Sequence, residues 1–348
     1  MLDELTRRYG LPPATVVCGS LTEFRHRARL AIRGRLGSPK IGLFEAASHR
    51  VVHIPNCRIH HPLINEVASI VRGALVDAQV TCYSDRAHLG LARYLQVVVE
   101  RRSGTAQVVL MVNAASVEPL AQCLELIRTR LGARLHSLWL NFNRQPNNVI
   151  LGPDFQHICG PDSVVEEFGA AAIHYPPGAF GQSNLEVAQM IVAHVRERIA
   201  ADARVTEFYA GVGAIGLSVL DRTSSLRLNE VSPQSLHGLA LGIGQLEPQM
   251  RAKVEVVAGT AADCCHAGDG AQVIIVDPPR KGLDPDLTRY LASHPPEQLL
   301  YISCDLSSFV KEVAGLLGGA QLRLVELTAF NLMPFTEHVE TVACFRRI

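Results

Sequence analysis

Hydrophobic and polar positions divide the chain into two textures. Between residues 24 and 139, apolar runs of strand-like composition at 94–100, 107–113 and 135–141 are separated by helical patterns at 61–75 and 117–131. This predicts an α+β domain. A joint, Tyr175-Pro176-Pro177-Gly178, precedes an amphipathic helix over 183–199 that carries Leu185, Ala188, Ile191, Val192 and Val195 on one stripe. Beyond residue 203, short β-rich runs recur at 204–209, 226–230, 253–257, 273–276 and 299–303, with helix-length segments between them. That rhythm predicts an α/β domain of βαβ units around a buried, mostly parallel sheet. Two last runs, 323–327 and 339–345, are too close for a helical crossover and predict an antiparallel hairpin that completes seven strands. Placing the boundary at the joint gives domains 1–175 and 176–348.

Composition narrows the class. The 348 residues are 48% hydrophobic and 19% charged, which excludes a disordered or fibrous chain. The 33 basic and 33 acidic residues cancel, yet residues 1–160 carry about +8 and residues 161–348 about −8. Such asymmetry suits a polyanion-binding amino-terminal part, or simply two domains of different charge. No apolar run reaches the roughly 18 residues of a membrane span. The opening Met1-Leu2-Asp3-Glu4-Leu5 lacks the basic-then-apolar pattern of a signal peptide, so a cytoplasmic protein with no membrane association is expected. Nine cysteines are scattered without a C-x-x-C pair, and His60-His61 is adjacent rather than helically spaced. Neither a disulfide framework nor a metal or iron–sulfur site is expected.

Three strand ends carry candidate chemistry. Gly211-Val212-Gly213-Ala214-Ile215-Gly216 follows one predicted strand directly, and Glu230 ends the next strand 19 residues after Gly211. The glycines permit a tight turn and close ligand approach, while a carboxylate at that strand end can accept from two ribose hydroxyls. Both NAD and S-adenosylmethionine present such a ribose, so the string leaves dehydrogenase and methyltransferase open. Asp277-Pro278-Pro279-Arg280 follows the strand at 273–276, at the carboxyl edge where ligands bind in open α/β sheets. There its stiff turn could wall a pocket for a flat base, with Asp277 and Arg280 offering hydrogen bonds. Cys304 ends the next strand and opens onto the same edge, which distinguishes it from the other cysteines. Near the last strand, His338 and Glu340 are both candidate bases.

At these residues the chain resembles the RNA uracil-5-methyltransferase family, the S-adenosylmethionine-dependent enzymes that make 5-methyluridine in tRNA and rRNA. The likeness runs through Phe24-Arg25-His26-Arg27-Ala28-Arg29-Leu30, Ile54-Pro55-Asn56-Cys57, Asn148-Val149-Ile150-Leu151-Gly152 and Phe180-Gly181-Gln182-Ser183-Asn184. It continues through the glycine loop, Asp277-Pro278-Pro279-Arg280, Ser303-Cys304 and His338-Val339-Glu340. The resemblance implies a class I, Rossmann-like methyltransferase preceded by an RNA-recognition domain. It implies that Cys304 is the nucleophile and Glu340 the base, and that Gln182, Tyr209, Glu230 and Asp277 line the cofactor site. The chain departs from the family pattern where Asp305-Leu306 replaces Asn-Pro, Met333-Pro334 replaces Phe-Pro, Ala210 replaces Cys and Ala214 replaces a polar residue. It resembles the compact members that lack iron–sulfur cysteines and an amino-terminal oligonucleotide-binding barrel, so no cluster is expected.

RNA binding has a separate argument. Read as a strand, residues 24–35 put Arg25, Arg27, Arg29, Arg33 and Arg35 on one face and His26, Ala28, Leu30 and Ile32 on the other. A row of guanidiniums can straddle phosphates, with Arg280 a further contact near the reacting base. The leading expectation is therefore methylation of an RNA uridine flipped or unstacked from a loop, with RNA as the partner and no protein partner indicated. A catalytically silent RNA-binding relative and a nicotinamide dehydrogenase are the alternatives.

Overall fold

The computed structural model describes residues 2–147, 149–319 and 321–348. Asn148, which opens one of the motifs above, and Met1 lie outside them. The chain forms two compact units: Ser20–Glu166 with Tyr175–Leu185, and Met1–Gly19 with Glu167–His174 and Glu186–Ile348. A single cut after residue 175 thus differs from the structure at both ends. The opening helix α1 (Leu2–Arg8) and strand β1 (Thr15–Cys18) belong with the carboxyl-terminal unit, because β1 pairs in parallel with a strand more than 300 residues later.

Among its described residues, the Ser20–Glu166 unit is built on a seven-stranded sheet. Its strands are β2 (Arg27–Arg35), β3 (Ser38–Phe44), β4 (Val51–His53), β5 (Ala92–Glu100), β6 (Thr105–Val112), β7 (Leu135–Phe142) and β8 (Asp154–Cys159), in the order β4-β3-β2-β5-β6-β7-β8. Helices α2 (Pro62–Asp77) and α3 (Ala121–Leu131) cover one face, burying Val67 and Val71 of α2 and Ile127 of α3 against Leu30, Leu95, Leu110 and Leu140. The other face is not left to water. Ala31, Tyr94, Val109 and Met111 form a second core there, packed by Trp139, Ile150, Leu151 and Phe155. Strand β5 is accordingly buried at every position.

Strands β9 (Val164–Phe168) and β10 (Ala171–Tyr175) form a two-stranded sheet. Helix α4 (Leu185–Arg198) follows, with its predicted stripe buried.

In the carboxyl-terminal unit, all seven predicted strands are present as β11 (Ala203–Phe208), β12 (Thr223–Glu230), β13 (Val254–Ala258), β14 (Val273–Val276), β15 (Gln298–Ser303), β16 (Leu322–Asn331) and β17 (Glu340–Arg347). With β1 they make an eight-stranded sheet among the described residues, ordered β1-β16-β17-β15-β14-β11-β12-β13. Neighbours from β15 to β13 are parallel, and β17 runs antiparallel between β15 and β16. The inner strands β14 and β15 are buried at every residue, as expected where helices cover both faces. Helices α5 (Gly216–Val219), α6 (Pro233–Gly244), α7 (Pro248–Arg251), α8 (Pro285–Ser293) and α9 (Leu306–Leu317) lie along the chain between the strands. Leu287 and Leu291 of α8 and Phe309, Val313 and Leu316 of α9 share one core with Leu5, Leu299 and Phe345. Strand order reverses between β11 and β14, which opens the crevice where open α/β sheets bind ligands.

Candidate active site

The glycine loop leaves β11 at this reversal. Gly211 and Gly213 both take left-handed φ, +58° and +82°. Their surroundings differ. A Cβ on Gly211 would meet nothing within 4 Å, whereas one on Gly213 would stand 2.6 Å from Leu239 Cδ2. Gly211 therefore faces open space, and Gly213 lets the loop pack closely on α6.

Glu230, at the end of β12, already holds backbone. Its Oε2 accepts from Gly211 N at 2.7 Å, and its Oε1 accepts from Val231 N at 2.8 Å and Ser232 N at 2.6 Å. A carboxylate offers about four acceptor sites, so roughly one remains for a ligand, where the sequence suggested two ribose hydroxyls. The same contacts explain why Glu230 matters to the loop: it is the acceptor that fixes Gly211. A second carboxylate, missed in the sequence, sits behind the loop. Glu207 of β11 is 1% exposed and accepts from Gly216 N at 2.8 Å. Burial, with Asp277 and Glu230 nearby, pushes its carboxyl well above the ordinary range. An acid amid Val205, Phe208 and the other apolar residues of an inner parallel strand was the available signal.

The reactive candidates meet at the next strand ends. Ser303 is paired with Thr341 across β15 and β17, so the following Cys304 and the preceding Glu340 emerge side by side. Glu340 is 4% exposed, and its Oε1 is buried without a hydrogen-bond partner. Burial and the Asp277 carboxylate raise its proton affinity, and Arg280 opposes them. Asp277 is itself raised by burial. The Cys304 thiol is pushed up to about 11 by burial and by the Glu340 and Asp277 charges, against the pull of Arg280. Cys304, Asp277, Glu340 and the exposed Arg280 guanidinium are thus gathered at one strand edge, where the charges of Asp277 and Arg280 act on both Cys304 and Glu340. His338, the other candidate base, is exposed.

The loop after β14 is held from behind. Glu312 of α9 accepts from Leu283 N at 2.9 Å and from the buried Tyr301 hydroxyl. Ser308 Oγ donates to Arg280 O at 3.1 Å. The Tyr209 hydroxyl donates to Asp284 Oδ2 at 3.1 Å and accepts from Asp284 N at 3.0 Å. Tyr209, expected to contact cofactor, therefore has its polar end engaged with the 281–284 segment. A Cβ on Gly282, at φ +87°, would lie 1.6 Å from Glu312 Oε1. Gly282→Ala is expected to lower stability by about 2 kcal/mol or more, and Glu312→Ala by about 1–3 kcal/mol for the two donors it strands. Denaturant midpoints check both, and Glu312→Gln, which keeps an acceptor, should recover part of the loss.

Departures from the family pattern are accommodated locally. Asp305 caps α9 by accepting from Ser308 N at 2.8 Å, a task asparagine performs equally well. Leu306 occupies the first helical position, where proline is favoured but not required.

The arginine row is broken. Arg27 donates to Ala179 O at 2.9 Å and stands over the Tyr175 ring at 4.6 Å. A Cβ on Gly181 would lie 2.7 Å from its guanidinium. Burial lowers its pKa to about 10. Arg27 thus braces the turn that carries Gln182. Arg33 pairs with Asp85 at 2.7 Å among Phe44, Tyr83 and Tyr94. The reason is the second core on that face of the sheet, which alternation alone did not reveal. Arg25 is half-buried, with Nε lacking a partner, while Arg29 and Arg35 are exposed and Arg29 Nε donates to Gln96 Oε1 at 2.6 Å. Gln182 is half-buried in the Tyr175–Leu185 segment of the smaller unit.

Among the described residues, no group of three His, Cys, Asp or Glu side chains is arranged to hold a metal, and no helix is long and apolar enough to cross a membrane. A parallel sheet closed by a reversed terminal strand, with a glycine loop at the switch point, is a Rossmann-like fold of the kind that binds an adenosine cofactor at that point. A family model described as tRNA (uracil-5-)-methyltransferase matches residues 269–348, which include Asp277, Cys304 and Glu340. A protein of Protochlamydia amoebophila named as an uncharacterized RNA methyltransferase is 35% identical over 335 residues, covering 94% of this chain and 87% of that one. A similarly named protein of Geobacter sulfurreducens is 27% identical, covering 95% and 67%. The chain belongs to the RNA uracil-5-methyltransferase family. Its fold is that of the tRNA (uracil-54, C5)-methyltransferase of Pyrococcus abyssi, solved with S-adenosyl-L-homocysteine: the TM-score is 0.81 at 21% identity, covering 99% of this chain and 81% of that one. The dehydrogenase reading left open by the glycine string is set aside.

Proposed function

We propose that this methyltransferase carries a methyl group from S-adenosylmethionine to C5 of a uridine in RNA, with Cys304 as nucleophile and Glu340 as base. The observation that carries the reading is a thiol beside a buried, unpartnered carboxylate at the strand edge where Asp277 and the glycine loop also end.

Uracil C5 is a weak nucleophile. Addition of Cys304 Sγ to C6 turns the ring into an enolate whose C5 can attack an electrophilic methyl group. S-adenosylmethionine, when bound, supplies that methyl on a sulfonium. The residues fit it: Gly211 faces open space, Glu230 keeps an acceptor, and the carboxylates of Asp277 and Glu340 suit a cation. Once C5 is methylated, Glu340 Oε1 takes the C5 proton, and the electrons of the broken C–H bond expel Cys304 from C6. A carboxylate whose surroundings raise its proton affinity is a stronger base for that step.

Cys304 begins as a thiol, since its pKa is raised to about 11. Addition should therefore quicken with pH, by about tenfold per unit between roughly pH 6 and 8.5, where each unit multiplies the thiolate fraction tenfold. Single-turnover rates across that range check this; a flat profile would mean that thiolate formation does not limit addition. The exposed Arg29, Arg35 and Arg280, with the half-buried Arg25, are the phosphate contacts in this reading, so added salt should weaken RNA binding far more than cofactor binding.

The direct test is incubation with S-adenosylmethionine labelled in the methyl group and unmodified tRNA and rRNA transcripts, followed by mapping of the label. Label in 5-methyluridine at a defined position is expected. Label in another nucleoside, or none, would overturn the reading.

A further inference from the structure

The segment 332–339 joins β16 to β17 and sits at the edge where Cys304 and Glu340 open, because β16 and β15 both run antiparallel to β17. It is an ordered turn. Thr336 N and Oγ1 donate to Met333 O at 3.3 and 2.8 Å, and His338 N donates to Thr336 Oγ1 at 3.2 Å. Leu332 and Pro334 are buried and anchor it. Phe335, between these anchors and the polar Thr336, Glu337 and His338, is 76% exposed and has φ +68°. Both features oppose folding: a bulky side chain in the left-handed region is strained, and an aromatic ring in water forgoes burial. Glycine or asparagine would make the same turn without either cost.

Resting on the reading of the site as an RNA uridine methyltransferase, we propose that Phe335 is a stacking platform for the nucleobase next to the target uridine. Extracting a uridine into a pocket at this edge breaks its stacking with the neighbouring base, and an exposed ring five residues from Glu340 offers that base a new face. Every nucleobase has such a face, so the contact is indifferent to sequence. The surroundings favour a base over a protein partner. Phe335 is a single exposed ring followed by three exposed polar residues, Thr336, Glu337 and His338, which suits a contact with a polar, stacked base.

Strain and stacking can be separated with three variants. Phe335→Gly removes the ring and relieves the turn, Phe335→Ala removes the ring alone, and Phe335→Trp keeps an aromatic face. On a tRNA or rRNA transcript that the parent protein methylates, the glycine and alanine variants should lose RNA affinity by roughly 5- to 150-fold, which is about 1–3 kcal/mol at 1.4 kcal/mol per factor of ten. Their S-adenosylmethionine affinity should be unchanged, tryptophan should keep RNA affinity within about threefold, and glycine should melt higher than the parent. Unchanged RNA affinity in the glycine variant overturns the proposal, as does a tryptophan variant as weak as alanine. A drop in melting temperature for both glycine and alanine would make the ring structural and also overturn it. A parent that methylates no RNA sinks the underlying reading and this one together, whereas a parent that methylates while Phe335→Gly binds RNA normally sinks this one alone.

Discussion

Cys304→Ala is expected to lower methyl transfer by roughly 10⁴-fold or more, because without addition at C6 there is no enolate to attack the methyl group. Cofactor binding should be nearly unchanged, since the glycine loop is fixed by Glu230 and Glu207 and not by the cysteine. RNA carrying 5-fluorouridine gives a second readout. Fluorine at C5 cannot be removed as a proton, so the parent should remain covalently attached to that RNA on a denaturing gel. The alanine variant should leave no such band. Full activity in Cys304→Ala would end the assignment of the nucleophile.

Glu340→Gln should separate the two halves of the reaction. Addition and methyl transfer do not need the base, whereas release of Cys304 does, so turnover should fall by roughly 10²–10⁴-fold while a methylated covalent adduct with ordinary uridine RNA accumulates. The same variant should be more stable at neutral pH. In the unfolded chain Glu340 titrates near about 4.3, and in the fold burial and Asp277 raise it. Between those two values the folded state binds the extra proton, so the stability associated with Glu340 falls as pH rises through the interval and stays low above it. Glutamine carries no charge to bury. Its advantage in melting temperature should be absent near pH 4 and reach a few degrees by pH 8. A variant that melts lower at every pH would show instead that the carboxylate is satisfied in the fold.

These expectations rest on residues whose legibility in the sequence differed. The glycine loop, Asp277 and Cys304 were visible because each follows a short apolar run directly, and a buried parallel strand such as Val273-Ile274-Ile275-Val276 is a local signal. Strand β1 gave no such signal: four residues, mostly exposed, at the edge of a sheet whose other strands lie far along the chain. Phe335 carried no local signal, since its exposure and left-handed φ belong to the folded turn. Glu312 was hidden in the amphipathic pattern of α9, where it flanks Phe309, Val313 and Leu316 as an ordinary polar position would.

The arginine row shows the same division from the other side. Alternation placed Arg27, Arg29 and Arg33 on one face correctly, but which of them meets water depended on what covers that face. Tyr175 and Ala179, about 150 residues away, claim Arg27, and Asp85 claims Arg33. The opposite charges of the two halves of the chain therefore do not translate residue by residue into an RNA surface.

By itself, the sequence determined the seven carboxyl-terminal strands from β11 to β17, the strand-end positions of Gly211, Glu230, Asp277 and Cys304, and the family, because these follow from periodicities and motifs a few residues long. Only the tertiary structure decided that β17 inserts between β15 and β16 to bring Glu340 beside Cys304, that Glu230 is largely committed to its own loop, and that Arg27 is engaged by Ala179 and Tyr175. Pairing register and burial are set by contacts between distant segments, and the protonation of Cys304 and Glu340 follows from that burial.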